Sequence, residues 1–213
     1  MSKNTRLMFA CTLLVLAVVL PAVAFEYPLS SIAIREAYFL GKADGNKRAA
    51  AFEKYTQHPP VPKTGPYVSI IQVETPFLVI ADSVSQQVSN YFSPDALQEF
   101  LDKPVEFRVR TQILVRNAYS LGDGRMVVSR VAPWSDYSVQ LLQDQDNEKD
   151  KEVRPQTTHG WPLYSGDEYP VFVGWEIELN YDADKVQSAP AKIRVFTPDG
   201  QQVEAIFDLD SLR

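Results

Sequence analysis

Residues 144–152, DQDNEKDKE, carry an acidic side chain at every second position: Asp144, Asp146, Glu148, Asp150 and Glu152. Oxygen ligands at alternate positions are how a loop wraps a calcium ion, but an EF-hand also needs Gly at loop position 6 and Glu at position 12. Counted from Asp144 those positions hold Lys149 and Pro155; counted from Asp146 they hold Lys151 and Thr157. Both registers fail, and the two lysines place ammonium groups inside the coordination sphere. The run is expected to be a solvated loop between strands, with no metal.

The two histidines, His58 and His159, lack the H-E-x-x-H spacing of a zinc helix, and a catalytic zinc usually takes three protein ligands. His58 lies beside Pro59 and Pro60 and reads as a solvated loop residue. A Ser-His-Asp arrangement would therefore depend on His159, yet no G-x-S-x-G elbow presents a serine. Neither G-x-G-x-x-G nor G-x-x-x-x-G-K-[ST] occurs. No catalytic residue, metal or cofactor is assigned.

Carboxylate pairs such as Asp208 and Asp210 suit a glycosidase only across a cleft, and at a strand end they read as surface acids. Arg108, Arg110 and Arg116 form a more specific pattern. Arg108 and Arg110, two apart on a strand, share a face. They suit either an anion site or a cross-strand ladder with acids of matching spacing, such as Glu176 and Glu178. In an acidic chain the ladder is favoured.

Two aromatic stretches remain, APWSDYS and THGWPLYSGDEYP. The second carries His159, Trp161, Tyr164 and Tyr169 among Gly and Pro, with no strand period. These four are the candidate ligand- or partner-binding residues, because Trp and Tyr combine a rigid apolar body with a polar tip. The alternative is a loop that plugs the open end of a sandwich.

The surrounding elements follow from hydrophobic period. SSIAIREAYFLGK is a helix capped by Ser30 or Ser31 that ends near Gly41, and DGNKRAAAFEKYTQ is a second helix ending before Pro59. HPPVPKTGP is an extended linker. YVSIIQVETPFLVIADSV reads as two strands broken at Pro76, and SPDALQEFLDK as a further short helix. In PVEFRVRTQILVRNAYS, Val105, Phe107, Val109, Thr111, Ile113 and Val115 alternate with polar residues, and LGDGR turns the chain back into MVVSRVAPW. Val171 to Tyr181 alternates in the same way. A last hairpin turns at Pro198-Asp199-Gly200, with Val203, Ala205, Phe207 and Leu209 inward. The pattern predicts a mainly β fold, an antiparallel β-sandwich or open barrel, with an N-terminal helical hairpin and one further short helix. The expected divisions are 1–24 signal peptide, 25–57 helical segment, 58–66 Pro-rich linker and 67–213 sandwich domain.

Residues 1–24 have the layout of a secretory signal: Lys3 and Arg6, an apolar stretch from Leu7 to Leu20, and an Ala22-x-Ala24 cleavage pattern. The stretch falls short of the ~20 residues that span a bilayer, and no other segment is apolar enough to span one. Cleavage removes two of the 21 basic residues and none of the 27 acidic ones, so the remainder carries a formal charge of −8. Such a surface repels nucleic-acid phosphates. Cys11, the lone cysteine, leaves with the signal, which excludes disulfides and thiol chemistry in the mature chain.

The AIREAYFLG helix and the TPDGQ hairpin resemble secreted bacterial proteins to which no activity is attached, a resemblance that implies a fold alone. The expectation is an exported, periplasmic or extracellular, non-enzymatic module that binds a protein, small molecule or glycan. The alternatives are a hydrolase using an acidic pair or His159, and a structural component of a cell-envelope assembly.

Overall fold

A computed structural model describes residues 27–63, 65–86, 106–115, 118–120, 126–128, 131–145, 148–166 and 169–212. The signal segment, the SPDALQEFLDK helix and Arg116 lie outside the described residues.

The chain opens with two short helices. In α1 (Ser31–Gly41) the Ser30 side chain accepts the Ala33 N–H at 3.2 Å, and in α2 (Gly45–Glu53) Asp44 accepts the Lys47 N–H at 2.9 Å. Each satisfies one of the orphan donors of a first turn. A short strand β1 (Thr56–Gln57) leads to β2 (Tyr67–Glu74).

The segment after Glu74 is a helix, α3 (Pro76–Ser85), where a second strand was expected. Thr75 is its N-cap residue and Pro76 occupies the first turn, where a missing N–H costs nothing. The run PFLVIADSV is apolar enough to satisfy either period. Burial of Phe77, Ile80, Ala81 and Val84 against Ala33, Ile34, Ala37 and Tyr38 of α1 selects the helix. Gly41 is needed for this contact: a Cβ there would strike the Ala81 carbonyl and Val84. The helix ends at Gly41 as its position suggested, and the glycine also permits this close approach.

The remaining strands are β3 (Glu106–Leu114), β4 (Ala118–Ser120), β5 (Met126–Val128), β6 (Ser138–Gln145), β7 (Glu148–Val153), β8 (Thr157–Ser165), β9 (Val171–Asp182), β10 (Pro190–Phe196) and β11 (Gln202–Asp208). They form a five-stranded sheet, β1-β2-β3-β9-β8, a four-stranded sheet, β11-β10-β6-β7, and the small hairpin β4-β5. All pairings are antiparallel. The fold is mainly β with two facing antiparallel sheets, as the alternating strands predicted.

The sheets share one core. Phe107, Val109 and Ile113 of β3 and Ile177, Leu179 and Tyr181 of β9 meet Leu141, Ile193, Val195, Ala205 and Phe207 of the other sheet. Burial along β3 alternates without exception, so Glu106, Arg108, Arg110 and Gln112 occupy the opposite face. That outer face of the five-stranded sheet is where α2 and α3 approach. At the far hairpin, Gly200 takes a positive φ of 84° and Thr197 accepts the Gly200 N–H through its carbonyl.

Two expected loops are strands. The acidic run covers the end of β6 and most of β7, an edge strand whose pairing with β6 is interrupted by a bulge where Asp150 takes a positive φ of 50°. Asp150 is held by Lys192 Nζ at 2.7 Å, and its N–H donates to Asp144 Oδ1 at 3.0 Å. Among the described residues no group of three metal-ligating side chains occurs. THGWPLYS is β8, the edge of the five-stranded sheet. Seven of its nine residues are exposed and only Gly160 and Leu163 are half-buried, so no apolar alternation marks it.

Candidate functional site

The outer face of the five-stranded sheet carries three rows of side chains set by register. Glu74, Arg108, Asn180 and Thr157 form the first; Gln72, Arg110, Glu178 and His159 the second; Ile70, Gln112, Glu176 and Trp161 the third. Each row runs from β2 across β3 and β9 to β8, with strands about 4.8 Å apart.

Arg110 is the hub of the first two rows. Its Nη1 lies 2.9 Å from Glu74 Oε1, its Nε donates to Glu178 Oε2 at 2.9 Å, and its Nη2 donates to Asp82 Oδ2 of α3 at 3.3 Å. One guanidinium therefore joins two strands and a helix. Arg108 donates to Glu106 at 3.2 Å and stands 3.8 Å from Glu74. The ladder expected from the sequence is present at Arg110–Glu178. Glu176 instead accepts the Gln112 amide at 3.0 Å and has no cationic partner among the described residues. Arg108 and Arg110 are thus both engaged by carboxylates, which favours the ladder over an anion site.

Glu74 is the residue that periodicity missed. It ends β2 on the outer face, yet it has no solvent exposure, because Arg108, Arg110 and the start of α3 cover it. Neither carboxyl oxygen has an aligned hydrogen bond, although Arg110 is in ion-pair contact. Burial pushes its pKa up to about 7; Asp82 and Glu178 add to the rise, while Arg110 and Arg108 oppose it. The same carboxylates hold Arg110 protonated against its own burial. The only hint in the sequence was an acid directly before Thr75-Pro76, at a strand-to-helix junction.

Beside this cluster lies a cavity of about 300 Å³ between α2 and the sheet, walled by Ala49, Phe52, Glu53 and Thr56 and floored by Ile70, Gln72, Arg110, Gln112 and Glu176. His58 borders it too. As expected, His58 is a solvent-exposed loop residue, and it is also tied at Nε2 to Glu53 (3.2 Å) and at Nδ1 to the Ser69 carbonyl oxygen (3.3 Å).

The four candidate binding residues do not converge. His159 and Trp161 sit side by side on the outer face of β8, stacked with ring centroids 5.7 Å apart. Trp161 is 44% exposed. Tyr164 packs edge-on against Phe172, which is edge-on to Trp175, whose Nε1 donates to the Ala132 carbonyl at 3.0 Å. Tyr169, in the turn after β8, is 80% exposed. Exposed rings do not plug a sandwich. The inner side of β8 is closed by Trp134 of APWSDYS, which lies against Gly160 so closely that a Cβ there would strike its indole.

Glu178 and Asp82 are engaged by Arg110, and Asp208 is exposed at the end of β11, separated from Asp210 by the buried Leu209. Among the described residues no helix is long and apolar enough to cross a membrane. Compared with protein-family models, curated proteins and solved structures, the chain has no match.

Proposed function

We propose that this chain is an exported binding module whose contact surface is the outer side of β8, centred on His159 and Trp161. The observation that carries this is the exposed, stacked His159–Trp161 pair on an edge strand of a sheet whose core is otherwise complete. A rigid indole left half in water adds little to folding. It offers a large contact area at small entropic cost when a partner covers it. Tyr164 and Tyr169 lie further along the same strand and turn and extend the available aromatic surface.

The sheet beneath supplies rigidity. β8 pairs with β9 over its whole length, and β9 is anchored to β3 through nine register pairs. A site on such a strand is held in place before the ligand arrives, which lowers the cost of binding. Export follows from the signal layout of residues 1–24.

Affinity capture from the native envelope fraction tests this, with the mature chain and its Trp161→Ala variant as baits. Loss of the captured species with Trp161→Ala, at unchanged melting temperature, is the expected result. Equal capture by both baits would remove the site.

A further inference from the structure

Resting on the reading of β8 as the contact surface, we infer that its partner is a protein segment bearing lysine or arginine side chains, received between Trp161 and Glu176. The two residues are direct cross-strand neighbours on the outer face, which puts their Cβ atoms about 5 Å apart. Glu176 is the acid of this face that Arg108 and Arg110 leave uncompensated. It accepts one amide hydrogen bond from Gln112, and no cation reaches it among the described residues.

Charge on the face points the same way. Glu106, Glu176, Glu178 and Asp82 stand against Arg108 and Arg110, a surplus of two negative charges even with Glu74 protonated. Among the described residues of this face both arginines are already engaged by carboxylates, Arg110 by three and Arg108 by Glu106 and Glu74.

An exposed indole beside a free carboxylate recognises a cation twice over. The ring face attracts an ammonium or guanidinium within about 6 Å, and the carboxylate accepts its N–H groups. The long methylene stem of Lys or Arg covers the apolar part of the ring. Glu176 also forms part of the cavity floor under α2, which Arg110 and the His58–Glu53 pair line as well, so the cation is received at the Trp161 side of Glu176 and not inside that cavity.

Binding of a short fluorescent peptide alternating lysine and alanine, followed by anisotropy at low salt, tests the inference. Its glutamate counterpart and spermidine serve as comparison probes. The lysine peptide should bind. Trp161→Ala and Glu176→Gln should each weaken it by about fivefold or more, and added salt should weaken it further. Both variants should melt with the parent protein. Equal binding of the glutamate peptide would overturn the inference. So would spermidine matching the lysine peptide, since a free polyamine would then be the ligand, and so would a lysine affinity indifferent to both substitutions. If the lysine peptide fails while envelope capture still depends on Trp161, the cationic partner falls and the β8 surface stands. If capture is indifferent to Trp161, the surface falls as well.

Discussion

Arg110 holds its Nη1 2.9 Å from Oε1 of Glu74, a carboxyl with no exposure to solvent. The contact joins the end of β2 to the middle of β3. Through the other nitrogens of the same guanidinium it also ties in α3 at Asp82 and β9 at Glu178. The helical layer is thereby attached to the sheet by charge as well as by apolar packing.

Removing that guanidinium leaves three acids clustered without their shared cation. Arg110→Met should cost about 3 to 5 kcal/mol, the range for breaking a buried pair from one side. Chemical denaturation monitored by tryptophan fluorescence reads this directly. Adding Glu74→Gln to the same chain should restore part of the loss, because the deepest uncompensated charge is then gone. A double variant as unstable as Arg110→Met would show that Glu74 is not the strained group.

Glu74 also sets a pH dependence. Its folded pKa of about 7 stands above the ordinary 4.5, so the folded chain takes up this proton more readily than the unfolded one. Its contribution to stability is full below pH 4.5 and is lost as pH rises to about 7. At about 1.4 kcal/mol per pKa unit, the change is on the order of 3 kcal/mol. Unfolding free energies of the parent and of Glu74→Gln should converge near pH 4.5 and separate in favour of the variant by pH 7. Parallel curves would place the effect elsewhere.

Trp161 and Phe107 make an opposed pair. Trp161 is 44% exposed, whereas Phe107 is fully buried in the sandwich core. Trp161→Ala should cost less than about 1 kcal/mol, and Phe107→Ala about 3 to 5 kcal/mol, as for other buried aromatic truncations. Thermal melts of the two variants check this. A large loss at Trp161 would make it part of the core and withdraw it from the binding surface.

Gly174 sits in β9 opposite Leu114 of β3 and Leu163 of β8. A Cβ at this position would strike the Ile113 carbonyl. Gly174→Ala should therefore destabilise by about 1 to 3 kcal/mol, the usual cost of forcing atoms into a packed site. Gly200→Ala meets no neighbour and suffers only from its positive φ. Gly174→Ala should accelerate amide exchange in β3 and β9, and Gly200→Ala should leave both strands protected.

Much of this architecture is visible in the residues alone. Phe107 to Ile113, Trp175 to Tyr181 and Val203 to Phe207 alternate so regularly that only one face of each strand can enter a core. Which residues of β3 line up as Arg108, Arg110 and Gln112 on the other face follows from the same period. The helices α1 and α2 announce themselves through Ser30 and Asp44. Tertiary structure decided the rest. The apolar stretch Phe77–Val84 suits strand and helix alike, and packing against α1 chose the helix. β8 is largely exposed and lacks any apolar period, so its pairing with β9 makes it a strand. Glu74, Asp82, Arg110 and Glu178 meet only because β2, α3, β3 and β9 are brought together; local sequence carries no term for contacts 28 to 68 residues apart. That meeting is why an acid at the end of a strand is buried, and why the carboxylate beside Trp161 is the one left without a cation.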